Sequence, residues 1–378
     1  MDTINFERKN DCFKKIVNKN TILLWGDLSI IPQPWITVLI PTYKRPAFLE
    51  QAITSVLKQF HTNFFWDIIV LDNESYNGIP NENEKLIKRI NNKRVLYYRN
   101  VEQLPVGSSF NRGIQLARGE WITMLHDDDI LLYSAMQYIG KSIKYCQTLK
   151  GKELGLLCAL QKQFRYNAIT GEVNINIEEE NEKISSKVMN FNLYRLLPWH
   201  VLLTPHIGCQ VPTCGTTLRK KAVLEMGGFD DELGVCGDQF LFYNIESKYR
   251  VYRTGQVLGF WRWGSNQSSG ESARVNVPKN LYDFRKYIYS KNLFNKILGL
   301  FLANSHNKDF IKDYIRQIER GTGKKLKESA FKSFCPKQPS RCMFFFSWII
   351  RRTYEKILKK NAVRFGNQAT KYIIKNEI

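Results

Sequence analysis

The chain has 378 residues, of which 43% are apolar and 24% charged, and a formal net charge of +21. That length can bury one large core with an appendage, and the composition excludes a disordered or collagen-like chain. No apolar run reaches the ~20 residues of a bilayer-spanning helix, and Met1 to Asn20 lack the apolar core of a signal peptide, so a cytoplasmic location is expected.

The eight cysteines (12, 146, 158, 209, 214, 236, 335 and 342) contain no Cys-x-x-Cys pair and no zinc-ligand spacing, which predicts free, mostly buried thiols. Charge is uneven. From Lys279 to Ile378 there are 23 Lys and Arg against 7 Asp and Glu, so +16 of the +21 lies in that stretch. The basic tail therefore needs an explanation of its own.

Trp35 to Ile40 is a β-branched apolar run, read as a buried strand that Pro41 and Thr42 end. Pro46 opens a helix with Leu49, Ala52, Ile53, Val56, Leu57 and Phe60 at helical spacing. Trp66 to Leu71 is the next strand, stopped by Asp72-Asn73-Glu74-Ser75. A charged helix over about Glu82 to Ile90, a strand over Arg94 to Arg99 and a helix over Ser108 to Ala117 follow, with Gly119 beyond its end. Trp121 to Leu125 is a further buried strand, and His126-Asp127-Asp128-Asp129 appears where it stops.

Beyond that point Ile130 to Cys146 reads as helix, Gly155 to Leu160 and Gln163 to Asn167 as strands, and Gly171 to Lys187 as a polar insertion. Cys214 to Leu218 reads as a strand, Lys220 to Met226 as a short helix ended by Gly227-Gly228, Asp238 to Ser247 as a helix and Arg250 to Val257 as a strand. Alternating strands and helices predict an α/β fold, a mostly parallel sheet covered on both faces. The texture turns basic and helical near residue 275. The expected domains are an extension over 1–34, the α/β domain over 35–275 and a basic, aromatic, mainly helical region over 276–378.

Loops at the carboxyl ends of parallel strands share one sheet edge, where ligands bind. Three such loops are expected: Pro41-Thr42-Tyr43-Lys44-Arg45, Asp72-Asn73-Glu74-Ser75, and the acidic loop. They supply an aromatic ring with cations, a carboxylate/amide pair, and an acidic cluster whose mutual repulsion suits a cation. A helix N-cap with an acidic first turn is the plainer reading of the last.

With Asn111-Arg112-Gly113-Ile114, Ala117-Arg118-Gly119-Glu120, and Gly227-Gly228-Phe229-Asp230 followed by Gly237-Asp238, these motifs make residues 35 to 270 resemble the family 2 glycosyltransferases, inverting enzymes of the GT-A nucleotide-sugar-binding fold. The resemblance implies a nucleoside-diphosphate sugar donor, a glycan or lipid-linked acceptor of the surface-polysaccharide type, and Mn²⁺ or Mg²⁺. It implies donor contacts from Pro41, Thr42, Tyr43, Arg45, Asp72, Asn73 and Asp127, metal ligation by Asp128 with Asp129 beside it, and Asp238 as the general base. Three positions depart from the family pattern: Asn73 and His126 stand where aspartates are usual, and Gly237 where a glutamate is. Trp261, Arg262 and Trp263, ahead of a Gly/Ser-rich stretch to Gly270, are expected in a loop closing over donor or acceptor, with Arg262 facing phosphate.

In the tail, a nine-residue, largely apolar run from Cys342 to Ile350 lies between cations, too short to span a bilayer and suited to an anionic membrane surface. Deleting residues beyond about 280 is expected to release the protein from membranes. A helical cap packed on the catalytic domain is the alternative. The net charge also raises nucleic-acid binding, but no helix-turn-helix, zinc finger or RNP-like motif supports it, so no nucleic-acid partner is expected. A catalytically inactive relative is the remaining rival.

Overall fold

The computed structural model describes residues 6–7, 11–29, 31–165, 173–187, 189–196, 200–203, 213–263, 271–322, 331 and 340–376. In chain order the strands and helices are β1 (Thr21–Trp25), β2 (Ile36–Thr42), α1 (Pro46–Leu57), β3 (Trp66–Asp72), α2 (Glu82–Ile90), β4 (Val95–Asn100), α3 (Val106–Leu116), β5 (Trp121–Met124), β6 (Ile130–Leu131), α4 (Ala135–Gln147) and β7 (Leu154–Arg165). Then come α5 (Ile177–Ser185), β8 (Leu193–Leu196), α6 (His200–Leu203), β9 (Thr217–Arg219), α7 (Lys220–Glu225), α8 (Gly237–Lys248), β10 (Arg250–Trp263), α9 (Glu271–Ser290), α10 (Leu293–Thr322) and α11 (Arg341–Lys375).

One sheet runs β1-β4-β3-β2-β5-β9-β7-β10-β6, with β8 on the far side of β10. The block β4-β3-β2-β5 is parallel throughout, as is the pair β7/β10, whereas β1, β9, β6 and β8 join antiparallel. The expected α/β architecture is present with that parallel block at its centre. Successive residues of a strand face opposite sides. On one side Val38, Ile40, Ile68 and Val70 pack with Leu49, Ile53 and Val56 of α1 and Leu86 and Ile87 of α2. On the other, Leu39, Ile69 and Leu71 pack with Ile114 of α3 and Leu241 and Ile245 of α8. Both faces are apolar because both are covered.

Several local expectations change. Ile130 and Leu131 pair with Phe260 and Gly259 as an edge strand, and the helix begins only at Ala135. The sheet takes the two apolar side chains that helical periodicity had claimed, and the Leu132 N–H bonds the Leu258 carbonyl at 2.9 Å. The two strands expected over 155–167 are one, β7, because β10 pairs along its whole length. Part of the polar insertion, Ile177–Ser185, is helical, capped by the Asn176 side chain on the Glu179 N–H. Ahead of the first expected strand, β1 pairs with β4.

The helical tail has two characters. Phe365 rings against Tyr145 and Tyr252, with centroids 5.1 Å away in each case, and Ala369 and Ile373 belong to the main core. The back half of α11 is thus a cap on the α/β domain. By contrast, Phe345, Phe346 and Trp348 near its start are 58%, 56% and 46% exposed. Deletion from residue 280 would strip core side chains, so it cannot report on membrane binding alone.

Candidate active site

β5 ends beside β2, the Leu125 N–H reaching the Leu39 carbonyl at 3.0 Å, so the acidic loop emerges next to Thr42 and Tyr43. Its three carboxylates are buried (Asp127 6%, Asp128 4% and Asp129 1% exposed), and each is held differently. The Thr42 hydroxyl donates to Asp127 Oδ2 at 2.8 Å, with the Tyr43 N–H at 3.4 Å. Arg45 Nη1 lies 3.0 Å from Asp128 Oδ2 and 3.6 Å from Asp127 Oδ1. The Arg262 backbone N–H donates to Asp129 Oδ1 at 3.0 Å.

Burial, and next the neighbouring charge of Asp128, push the Asp127 carboxyl up to about 6 and raise Asp129 well above the ordinary carboxylate range. A ring nitrogen of His126 and an oxygen from each of Asp128 and Asp129 lie within 4.8 Å of one another. Asp129 Oδ2 is buried without a hydrogen bond of ordinary geometry, and the thiol of Cys214, a weak donor, is the group beside that carboxyl. A buried acceptor with only a weak donor beside it is costly, and crowded carboxylates repel. Oxygen ligands gathered at such a place fit a hard divalent cation, which would satisfy both.

The second loop differs from expectation. Asp72 is fully buried. Its Oδ2 accepts from Tyr97 OH (2.7 Å), Asn81 Nδ2 (2.8 Å) and Asn83 Nδ2 (2.9 Å), and its Oδ1 from the Glu74 N–H (2.9 Å). A carboxylate so engaged holds the loop and has little capacity left for a donor molecule. Asn73 Nδ2 donates to the Leu104 carbonyl at 2.8 Å, while its Oδ1 accepts from the Leu104 N–H and from Asn100 Nδ2, both at 2.9 Å. The amide mimics a peptide pairing, and a carboxylate cannot donate to Leu104. Asn73→Asp is therefore expected to cost about 1–3 kcal/mol, read as a lowered denaturant midpoint. An unchanged midpoint would show that the amide is not needed there.

Of the first loop, Pro41 and Thr42 lie inside β2, and Tyr43 is 36% exposed with Lys44 Nζ 5.3 Å from its ring centroid. Tyr43 is therefore open to a planar partner at the edge where Asp127 and Asp128 lie.

Asp238 sits in the first turn of α8, partly buried, and accepts from the Gln239 N–H at 2.7 Å. Burial pushes its carboxyl up to about 6. Its neighbours in sequence are occupied elsewhere. Asp231 caps α3 from across the fold, accepting from the Gly107 N–H at 2.6 Å and from the Ser108 N–H and hydroxyl. Asp230 caps the turn before α8 and pairs with Lys15 at 3.2 Å. The Asn111 side chain exchanges two 2.8 Å hydrogen bonds with the Phe229 backbone. Gly228 (φ +77°) must lack a side chain, since a Cβ would stand 2.4 Å from Asn111 Oδ1. Phe110 bridges this turn to the acidic loop, its ring centroid 5.2 Å from Phe229 and 5.9 Å from His126.

Trp261, Arg262 and Trp263 belong to β10 and not to a loop, because β7 pairs with all three. The stretch from 264 to 270 lies outside the described residues. Arg262 is 2% exposed, lies over the rings of Phe48 and Phe164 (4.5 and 4.6 Å), and donates from Nε to the Asp128 carbonyl at 2.7 Å and from Nη2 to Gln51 at 2.6 Å. Instead of facing a phosphate, it braces the acidic loop from behind. Trp263 is buried and Trp261 partly so, ringed edge-to-face at 4.9 Å. Sequence reasoning missed Thr213, whose Oγ1 is 2.6 Å from His126 Nε2. A lone threonine 87 residues away carried no signal.

Residues 37–143 match the family model described as glycosyl transferase family 2. An uncharacterized glycosyltransferase of Methanocaldococcus jannaschii is 32% identical over 127 residues, covering 32% of this chain and 40% of that protein. The GalNAc(5)-diNAcBac-PP-undecaprenol β-1,3-glucosyltransferase of Campylobacter jejuni is 35% identical over 105 residues, 27% of this chain and 32% of that protein. The matches thus span less than half the length of these curated relatives. In fold, the crystal structure of S. aureus TarS 1–349 in complex with UDP-GlcNAc aligns with a TM-score of 0.50 at 13% identity, over 85% of this chain and 91% of that one. With the parallel block and the acidic loop at its carboxyl edge, residues 37–143 form a glycosyl transferase family 2 domain.

Proposed function

We propose that the protein transfers a sugar, with inversion, from a nucleoside-diphosphate sugar to a hydroxyl of a glycan or lipid-linked acceptor, in surface-polysaccharide synthesis and with Mn²⁺ or Mg²⁺. The observation that carries this reading is the cluster of His126, Asp128 and Asp129 at the carboxyl edge of the parallel block. Asp128 and Asp129 would hold the cation, which when bound neutralises charge building on the diphosphate leaving group. Thr42 and the Tyr43 N–H keep Asp127 aimed at the edge, Tyr43 offers its face to the base, and Arg45 brings a guanidinium suited to phosphate. Asp238 takes the acceptor hydroxyl proton as that oxygen bonds the anomeric carbon and the diphosphate departs. Its upward-shifted carboxyl suits a base working near neutrality. The Campylobacter relative's printed activity on an undecaprenol-linked glycan supports a lipid-linked acceptor. The reading is tested by thermal shift with UDP-, GDP- and dTDP-sugars with and without Mn²⁺. One nucleotide class is expected to raise Tm only with the ion, by mass action. No shift with any of them would sink the reading.

The same reading includes a peripheral site on the cytoplasmic face of the membrane. No helix among the described residues is long and apolar enough to cross a bilayer. Support comes from Leu293, Phe294 and Leu300 on α10 (74%, 66% and 68% exposed) and from Phe345, Phe346 and Trp348 on α11, the latter flanked by Arg341, Arg351 and Arg352. Phe345→Ser with Trp348→Ser is expected to weaken co-sedimentation with anionic vesicles while leaving Tm unchanged. Equal sedimentation of the double variant would remove α11 from the membrane site.

A further inference from the structure

The family pattern implies an all-oxygen cation site, whereas among the described residues a histidine joins the carboxylates gathered here. One ring nitrogen of His126 is gathered with Asp128 and Asp129 inside 4.8 Å. Two neighbours hold the ring. Thr213 Oγ1 lies 2.6 Å from Nε2, and Phe110 covers the ring at 5.9 Å between centroids. A neutral imidazole offers one lone pair, on the nitrogen that carries no hydrogen. If the threonine oxygen accepts from Nε2–H, the lone pair is fixed on Nδ1. A ligating histidine is normally held in this way, its other N–H given to an oxygen that sets tautomer and orientation. Asp129 Oδ2 is buried and accepts no hydrogen bond of ordinary geometry, the weak donor Cys214 thiol being the group beside that carboxyl, so the carboxylate can supply a further ligand atom.

We propose that His126 is a direct ligand of the ion, positioned by Thr213, and that its nitrogen shifts the site's preference from Mg²⁺ toward first-row transition ions such as Mn²⁺ and Co²⁺. The inference rests on the metal-dependent reading above. Carboxylate and water suit Mg²⁺, whereas imidazole binds transition ions far better than it binds Mg²⁺. Replacing one oxygen donor by nitrogen therefore weakens Mg²⁺ relative to Mn²⁺ and Co²⁺. The arrangement also accounts for a histidine at this position without loss of function, since a ligand is exchanged and not deleted.

The test uses the full-length chain with Mn²⁺ and UDP, and separately with Mn²⁺ and GDP, read by pulsed electron paramagnetic resonance. Nitrogen bonded directly to Mn²⁺ gives a ¹⁴N modulation that an outer-shell histidine does not. The modulation is expected in the wild type and absent in His126→Asp. In competition titrations the preference for Co²⁺ over Mg²⁺ is expected to fall by about tenfold or more in His126→Asp, and affinity for Co²⁺ by about 10–100-fold in Thr213→Val, the scale of ligand-shell changes. Bound Mn²⁺ without ¹⁴N modulation in the wild type would overturn the role of His126 and leave the metal-dependent reading standing. No Mn²⁺ binding with either nucleotide would overturn both. The wild-type spectrum decides the matter even if His126→Asp does not fold.

Discussion

Asp238→Asn is expected to lower kcat/KM by about 10²–10⁴-fold at neutral pH, the usual contribution of a positioned general base. The amide keeps a carbonyl oxygen for the Gln239 N–H, which Asp238 Oδ1 accepts at 2.7 Å, so the start of α8 and the melting temperature should change little. What the variant loses is the capacity to take a proton. Burial raises the carboxyl to about 6, so its basic form is depleted as pH falls through that value. The wild-type kcat/KM should therefore fall about tenfold per pH unit below 6 and level off above it, until another group intervenes. The residual activity of Asp238→Asn should lack that acid limb. Full activity in the variant would reduce Asp238 to a helix cap.

Asp128→Ala should move function and stability in opposite directions. Loss of the central carboxylate is expected to abolish the Mn²⁺-dependent thermal shift by donor and to lower kcat by about 10²–10³-fold or more, the scale for removing one transition-state electrostatic contact. Without ion and donor, however, the variant should melt at the same temperature as the wild type or higher. The charge of Asp128 helps to raise the carboxyls of both Asp127 and Asp129, so its removal relieves repulsion in a buried place. Its pairing with the partly exposed Arg45 offsets only a little of that. Crowded buried carboxylates break the rules of stable cores, as this loop does. Both a retained Mn²⁺ shift and a variant that unfolds at room temperature would contradict this account.

The chemistry-bearing loops were legible because their signals are local. A β-branched run ending in acids reads the same on paper as in the fold, and Ile36–Thr42, Trp66–Asp72, Glu82–Ile90 and Trp121–Met124 lie within a residue or two of their expected positions. Signals that depend on distant partners were misread. Ile130 and Leu131 resemble the start of a helix until β10 is seen beside them. Arg262 resembles a phosphate ligand until Phe48, Gln51 and the Asp128 carbonyl are found around it. Asp72, exposed to suspicion by its place at a strand end, is consumed by three residues from α2's start and β4.

By itself, then, the sequence determined the class of fold, the family resemblance and the edge of the sheet that carries the acids, since periodicity, strand length and short motifs act over a few residues. Only the tertiary structure decided what surrounds each acid. Asp127, Asp128, Asp129, Asp230, Asp231 and Asp238 are alike in a string of letters. They part company through Thr42, Arg45, the Arg262 backbone, Lys15, Ser108 and the start of α8, because a carboxylate's role follows from the donors and the burial that surround it.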